Sequence, residues 1–125
     1  MKKILIIDDE VRVRQMYAML LKEEGFDVRK ASDVPKATEL LLRENFDLVL
    51  LDIRMPGDGG KKMYEVIREY DPNLKVIVSS VYPVEEQIQS ILGASAYHDK
   101  AQGIDDLMVK VKEVLEDKRV RPIET

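Results

Sequence analysis

Five residues in this chain have types and positions suited to a single reaction: Asp8, Asp9, Asp52, Ser80 and Lys100. Each falls at or just beyond the end of a short apolar run, after Ile7, Leu51, Val78 and His98. Three carboxylates brought to one point repel each other, and without a counter-charge at least one has a raised pKa. A hard divalent cation such as Mg²⁺ removes that conflict. It prefers oxygen ligands, keeps several waters, and typically takes one or two carboxylates plus a phosphate. A carboxylate is also a nucleophile toward phosphorus, giving an acyl phosphate. A lysine ammonium and a serine hydroxyl hold phosphoryl oxygens. The set therefore suits phosphoryl transfer, where positioning and charge neutralisation supply most of the catalysis. Singly, each residue has an ordinary explanation. Asp8 or Asp9 suits a helix N-cap, Asp52 a turn, Ser80 says little, and Lys100 suits a solvated surface. Their weight comes from their shared placement.

That placement depends on the elements around them. Lys3 to Ile7 reads as a buried strand. Val13, Met16, Tyr17, Leu20 and Leu21 recur at helical spacing from Val11 to Glu24, and Gly25 suits the stop. Asp27 to Ala31 predicts a second strand. Ser32 or Asp33 caps a helix that runs to about Asn45 through Ala37, Leu40, Leu41 and Leu42, with Pro35 in its first turn. Asp47 to Leu51 predicts the third strand. The stretch from Met55 to Gly60 is dense in breakers and reads as a loop. Met63, Val66 and Ile67 mark a third helix, stopped by Asp71-Pro72-Asn73. Lys75 to Ser79 predicts the fourth strand, Val84 to Leu92 the fourth helix, Ala96 to His98 the fifth strand and Ile104 to about Asp117 the last helix. Strand and helix alternate five times, which implies a parallel sheet covered on both faces. The fold class is α/β, a flavodoxin-like doubly wound (βα)5 sheet with strand order 2-1-3-4-5. In such sheets ligands bind beyond the carboxyl ends of the strands. Strands one and three are then neighbours, and their tips bring Asp8, Asp9 and Asp52 together.

The chain's length of 125 residues suits one domain. We assign residues 1–117 to it and 118–125 to a C-terminal tail or the start of a linker. A formal net charge of -4 argues against direct nucleic-acid binding, which favours a basic face. With no cysteine, thiolate metal sites and disulfides are excluded. The apolar run at the N-terminus is too short for a signal peptide, and no stretch approaches a membrane span. The expected location is cytoplasmic, with no membrane partner.

Four segments resemble the receiver domain of two-component response regulators, in order and over roughly Lys2 to Asp117. Ile4-Leu5-Ile6-Ile7-Asp8-Asp9-Glu10 is similar to its opening strand and acidic pair. Leu50-Leu51-Asp52-Ile53-Arg54-Met55-Pro56-Gly57 is similar to its phosphoacceptor segment. Val76-Ile77-Val78-Ser79-Ser80 and Gly93-Ala94-Ser95-Ala96-Tyr97-His98-Asp99-Lys100 are similar to the hydroxyl-bearing strand and the closing lysine segment. The resemblance implies that Asp52 accepts a phosphoryl group from a histidine kinase or phosphotransfer protein. It implies direct Mg²⁺ (or Mn²⁺) ligation by Asp9, Asp52 and the backbone carbonyl of Arg54, with Asp8 acting mainly through water. Ser80 and Lys100 then contact the phosphoryl oxygens, and Tyr97 is the switch aromatic. A face made of the fourth helix, fifth strand and fifth helix is implied for an output domain, a downstream protein or a homodimer. The start of the first helix, near Val11, Arg12 and Met16, is implied for the kinase.

Three positions depart from that pattern. Ala101 stands where the family has a cis-bonded proline. A cis bond before a non-proline residue costs about 3 kcal/mol, so either the bond is trans or the loop is strained, and the reach of Lys100 is at issue. Gly59 stands where the family often has aspartate. Ser79 stands where an apolar residue is usual, so a register slip that makes it the active hydroxyl stays open. Arg54 and Tyr82 flank the expected path of the hydrolytic water, which predicts slow self-dephosphorylation. Competing classes fit less well. An aspartate-nucleophile phosphatase carries Asp-x-Asp after its first strand. A flavodoxin-like cofactor binder needs a phosphate-cradling loop there, whereas Asp8-Asp9-Glu10 repels phosphate without a metal. A degenerate receiver acting as a phosphorylation-independent binding module remains the alternative.

Overall fold

A computed structural model describes residues 1–116. The boundary at residue 117 and the tail 118–125 lie outside the described residues. Five strands, β1 (Lys3–Ile7), β2 (Asp27–Ala31), β3 (Leu48–Leu51), β4 (Lys75–Ser80) and β5 (Ala96–Asp99), alternate with five helices, α1 (Val11–Glu23), α2 (Val34–Arg43), α3 (Gly59–Tyr70), α4 (Val84–Ser90) and α5 (Ile104–Leu115). All strand pairs are parallel, and the order is β2-β1-β3-β4-β5. This is the predicted architecture.

The strands are apolar on both faces because helices cover both. Alternate side chains feed separate cores. Leu5, Ile7, Val49, Leu51, Val76 and Val78 pack with α2 and α3. Ile4, Ile6, Leu48, Leu50 and Ile77 pack with Tyr17, Leu21, Leu107 and Val111 of α1 and α5. Gly25, at φ 95°, ends α1 in a conformation that glycine adopts without steric cost. Asp33 caps α2, its Oδ1 accepting the Lys36 N–H at 2.9 Å.

The departures from expectation are local. Leu42 is 68 % exposed rather than core, and Met16 is also exposed. β3 starts at Leu48; Asp47 just before it donates its N–H to the Lys3 carbonyl and accepts the Lys3 N–H with its carboxylate, both at 2.8 Å. The largest correction concerns Gly59 and Gly60, read above as loop. Both are buried and open α3, preceded by a short 3-10 turn over Pro56–Asp58. A Cβ on Gly60 would lie 2.4 Å from Ile53 Cα and 2.5 Å from the Asp52 carbonyl oxygen. Glycine here permits the helix to close against the backbone that leaves β3, immediately beside Asp52.

Candidate functional site

The carboxyl ends of β1 and β3 sit side by side, with Ile7 paired to Leu51. The Asp52 N–H donates to the carbonyl of Ile7, the last residue of β1, at 3.0 Å, carrying the ladder one residue past β3. Asp8, Asp9 and Asp52 therefore offer one carboxylate oxygen each within 4.8 Å of one another. Asp8 and Asp52 are buried, and Asp9 is exposed.

The carboxylates differ in what already holds them. Asp8 accepts at both oxygens: Oδ1 from the Glu10 N–H at 2.9 Å and Oδ2 from Lys100 Nζ at 2.8 Å. Its backbone carbonyl accepts from Arg14 at 2.7 Å. On Asp52, Oδ1 accepts the Arg54 N–H at 3.0 Å, while Oδ2 lies 3.8 Å from Lys100 Nζ. Asp9 has no hydrogen bond or ion pair among the described residues. Asp9 and one oxygen of Asp52 are thus the freest donors. A set of closely spaced hard oxygens facing a cleft suits Mg²⁺ or a similar ion. The cleft has a volume of about 260 Å³ and is lined by Asp9, Glu10, Asp52, Arg54, Val81 and Lys100.

The electrostatics match this crowding. Burial pushes the Asp52 carboxyl up to about 7, with Asp8 and Asp9 adding to the rise and Lys100 and the Arg54 N–H opposing it. Burial works against the Lys100 ammonium, but its hydrogen bond to Asp8 and the charge of Asp52 outweigh this and raise its pKa. The lysine stays cationic between the two buried carboxylates.

Lys100 reaches the site without a cis bond. Every peptide bond among the described residues is trans. The Ala101 N–H, a group that proline lacks, donates to Asp99 Oδ1 at 2.8 Å and holds a short 3-10 turn over Lys100–Gln102. Alanine therefore replaces one loop device with another. Ser80 is fully buried, and its Oγ accepts the Tyr82 N–H at 3.3 Å. Its own proton remains available to an acceptor. Ser79 is spoken for: its hydroxyl lies 3.2 Å from the Tyr17 hydroxyl inside the α1 face. Tyr97 is half-buried. Its hydroxyl donates to the Ile91 carbonyl at 2.6 Å and accepts the Ala94 N–H at 3.1 Å, which ties the ring to the α4–β5 connection.

Of the two positions placed beside the hydrolytic water, Arg54 lines the cleft and Tyr82 does not; Val81 does instead. Three contributors were not singled out from the sequence. Glu10 reaches to 3.7 Å from Lys100 Nζ. Tyr17 looked like one more member of an apolar stripe. Gln87 lies on the buried side of α4, at helical spacing between Val84 and Ile91, and a polar residue on an apolar stripe was the available signal.

Comparison with known proteins agrees with the geometry. The family model of the response regulator receiver domain matches residues 4–112. The chain is 32% identical over 116 residues to sporulation initiation phosphotransferase F of Bacillus subtilis (strain 168), covering 91% of this chain and 94% of that protein. The crystal structure of response regulator TrrA from Thermotoga maritima in complex with Mg(2+)-BeF is similar at a TM-score of 0.82 and 34% identity, covering 91% of this chain and 99% of that one. A CheY-like receiver domain protein from Methanospirillum hungatei JF-1 is similar at a TM-score of 0.86 and 31% identity, covering 94% and 95%. A chain in the complex of histidine kinase ThkA with TrrA is similar at 0.83 and 34%, covering 93% and 100%. The chain belongs to the response regulator receiver domain family and is a receiver domain of two-component signal transduction.

Proposed function

We propose that Asp52 is the phosphoacceptor, and that it takes its phosphoryl group from a histidine kinase or phosphotransfer protein in a Mg²⁺-dependent reaction. The observation that carries this is the buried Asp52 carboxylate, grouped with Asp8 and Asp9 within 4.8 Å and faced by the Lys100 ammonium. Asp9, Asp52 and the Arg54 carbonyl would hold Mg²⁺ (or Mn²⁺), with Asp8, which already accepts a hydrogen bond at each oxygen, acting mainly through water. When bound, the ion neutralises the carboxylates and draws phosphoryl oxygens toward them. An Asp52 oxygen forms the new bond to phosphorus while the bond to the donor imidazole nitrogen breaks. Lys100 and the free proton of the Ser80 hydroxyl meet the phosphoryl oxygens, and Tyr97 responds on the α4–β5 side. The switch then regulates an output domain or downstream protein, or a homodimer, through the α4–β5–α5 face. The kinase partner is supported by the likeness to TrrA, which is found in complex with the kinase ThkA. A cytoplasmic location fits this role. No helix among the described residues is long and apolar enough to cross a membrane.

Acetyl phosphate tests the proposal. With Mg²⁺, the wild-type mass rises by one phosphoryl group; without Mg²⁺, or in Asp52→Asn, it does not. A gain that survives Asp52→Asn removes Asp52 as the acceptor. A wild type that gains nothing points to the phosphorylation-independent binding module.

A further inference from the structure

Gln87 is the odd residue of α4. It sits in a seven-residue helix on the protein surface, yet it is fully buried. Its Nε2 donates to the Tyr82 carbonyl at 2.7 Å and the His98 carbonyl at 2.8 Å, with the Ser80 carbonyl at the 3.5 Å edge of contact. Three carbonyl oxygens around one amide atom fix the orientation of the carboxamide, since the flipped form would set oxygen against oxygen. The Oε1 that results is buried and has no hydrogen-bond partner among the described residues.

The contacts form a chain. Tyr82 is held at both of its peptide groups: its N–H donates to Ser80 Oγ at 3.3 Å, and its carbonyl accepts from Gln87. Gln87 in turn holds the carbonyl of His98 in β5, two residues before Lys100. A single side chain thus spans the β4–α4 connection, α4 and β5. A displacement of the Ser80 hydroxyl must lengthen its bond to the Tyr82 N–H, and the Tyr82 Cα joins that peptide group to the one whose carbonyl Gln87 holds.

We propose that Gln87 is a positioning residue that couples Ser80 to α4 and β5: phosphorylation of Asp52 loosens its clamp on Tyr82 and frees α4 to shift relative to β5. The proposal rests on the reading of Asp52 as phosphoacceptor, and it adds a route by which the signal leaves the site.

The test uses the full chain, Mg²⁺ and acetyl phosphate, followed by intact mass and by NMR of backbone and side-chain amides. In the wild type, hydrogen exchange at the Gln87 carboxamide speeds up about fivefold or more on phosphorylation, the factor that one net hydrogen bond represents. Gln87→Met, close in shape but without donors, still gains one phosphoryl group. It loses the phosphorylation-induced shifts at His98 and along α4 while keeping those beside Asp52. Wild-type exchange that does not change on phosphorylation overturns the proposal, and so do Gln87→Met shifts at His98 and α4 that match wild type. If Gln87→Met does not fold, the wild-type exchange measurement decides alone. A wild type that takes up no phosphoryl group overturns the phosphoacceptor reading as well, and the mass spectrum shows this before any resonance is compared.

Discussion

Arg54 stands two residues past Asp52 and is bound to it through the backbone, while its side chain is exposed at the rim of the cleft. A water that reaches Asp52 past Arg54 would cross that rim. Its other wall at this point is Val81, an apolar side chain that gives such a water no hydrogen bond. The family resemblance drew attention to Arg54 because it lies at a fixed offset from Asp52, the proposed acceptor. Tyr82, the second position expected there, does not line the cleft, and its neighbour Val81 does. Shortening Arg54 should open the approach. Arg54→Ala is expected to lose its phosphoryl group faster than wild type by roughly fivefold, the effect of about 1 kcal/mol on a barrier. The decay is read by intact mass after the phosphodonor is removed with Mg²⁺ present. Equal or slower decay in the variant would remove Arg54 as a shield.

Between elements, α1 and β4 meet at a polar contact inside an otherwise apolar layer. The Tyr17 and Ser79 hydroxyls lie 3.2 Å apart, both buried. Burial raises the Tyr17 pKa despite the bond from Ser79 and the nearby Lys100 charge, so Tyr17 stays a neutral phenol. This pair explains why a serine replaces an apolar residue before Ser80, a departure that from sequence alone left the register of β4 in question. Each residue read singly was ambiguous, because Tyr17 sits on a normal apolar stripe and its partner is 62 residues away. Strands and helices were legible in the same sequence because their periodicity is local. The start of α3 was not, because Gly60 obeys a clash with the β3 exit and not a local propensity. Ser79→Ala leaves the phenol O–H buried and unpaired and is expected to cost about 1–3 kcal/mol. In Tyr17→Phe/Ser79→Ala both polar groups are gone, and the double variant should be destabilised by less than the sum of the single variants. Urea unfolding of the four proteins measures this. Strict additivity would mean that the two hydroxyls do not share a bond.

At the scale of the whole molecule, a parallel sheet gathers acidic strand tips at one edge, and the fold bears the resulting strain. Asp52 carries most of it: its pKa in the folded protein is about 7, against 3.8 for the free group. The folded state therefore holds that proton more tightly than the unfolded chain does. The stability this contributes is fully present below about pH 4 and is lost as pH rises through 7. Metal-free protein should accordingly weaken between these limits, by on the order of 2–4 kcal/mol from this group. Asp52→Asn has no proton to lose. At about pH 8 without metal it should be more stable than wild type by a similar amount, with the gap closing toward pH 4. Mg²⁺ should narrow the same gap from the other side, adding about 1.4 kcal/mol to the wild type at ten times its dissociation constant and less to the variant, which lacks a ligand charge. Denaturant midpoints at the two pH values, with and without Mg²⁺, check each part. A variant no more stable than wild type at the higher pH would show that Asp52 is not strained. A wild type indifferent to Mg²⁺ would show that the acidic edge does not bind the ion, and the site would then lack the charge it needs to accept a phosphoryl group.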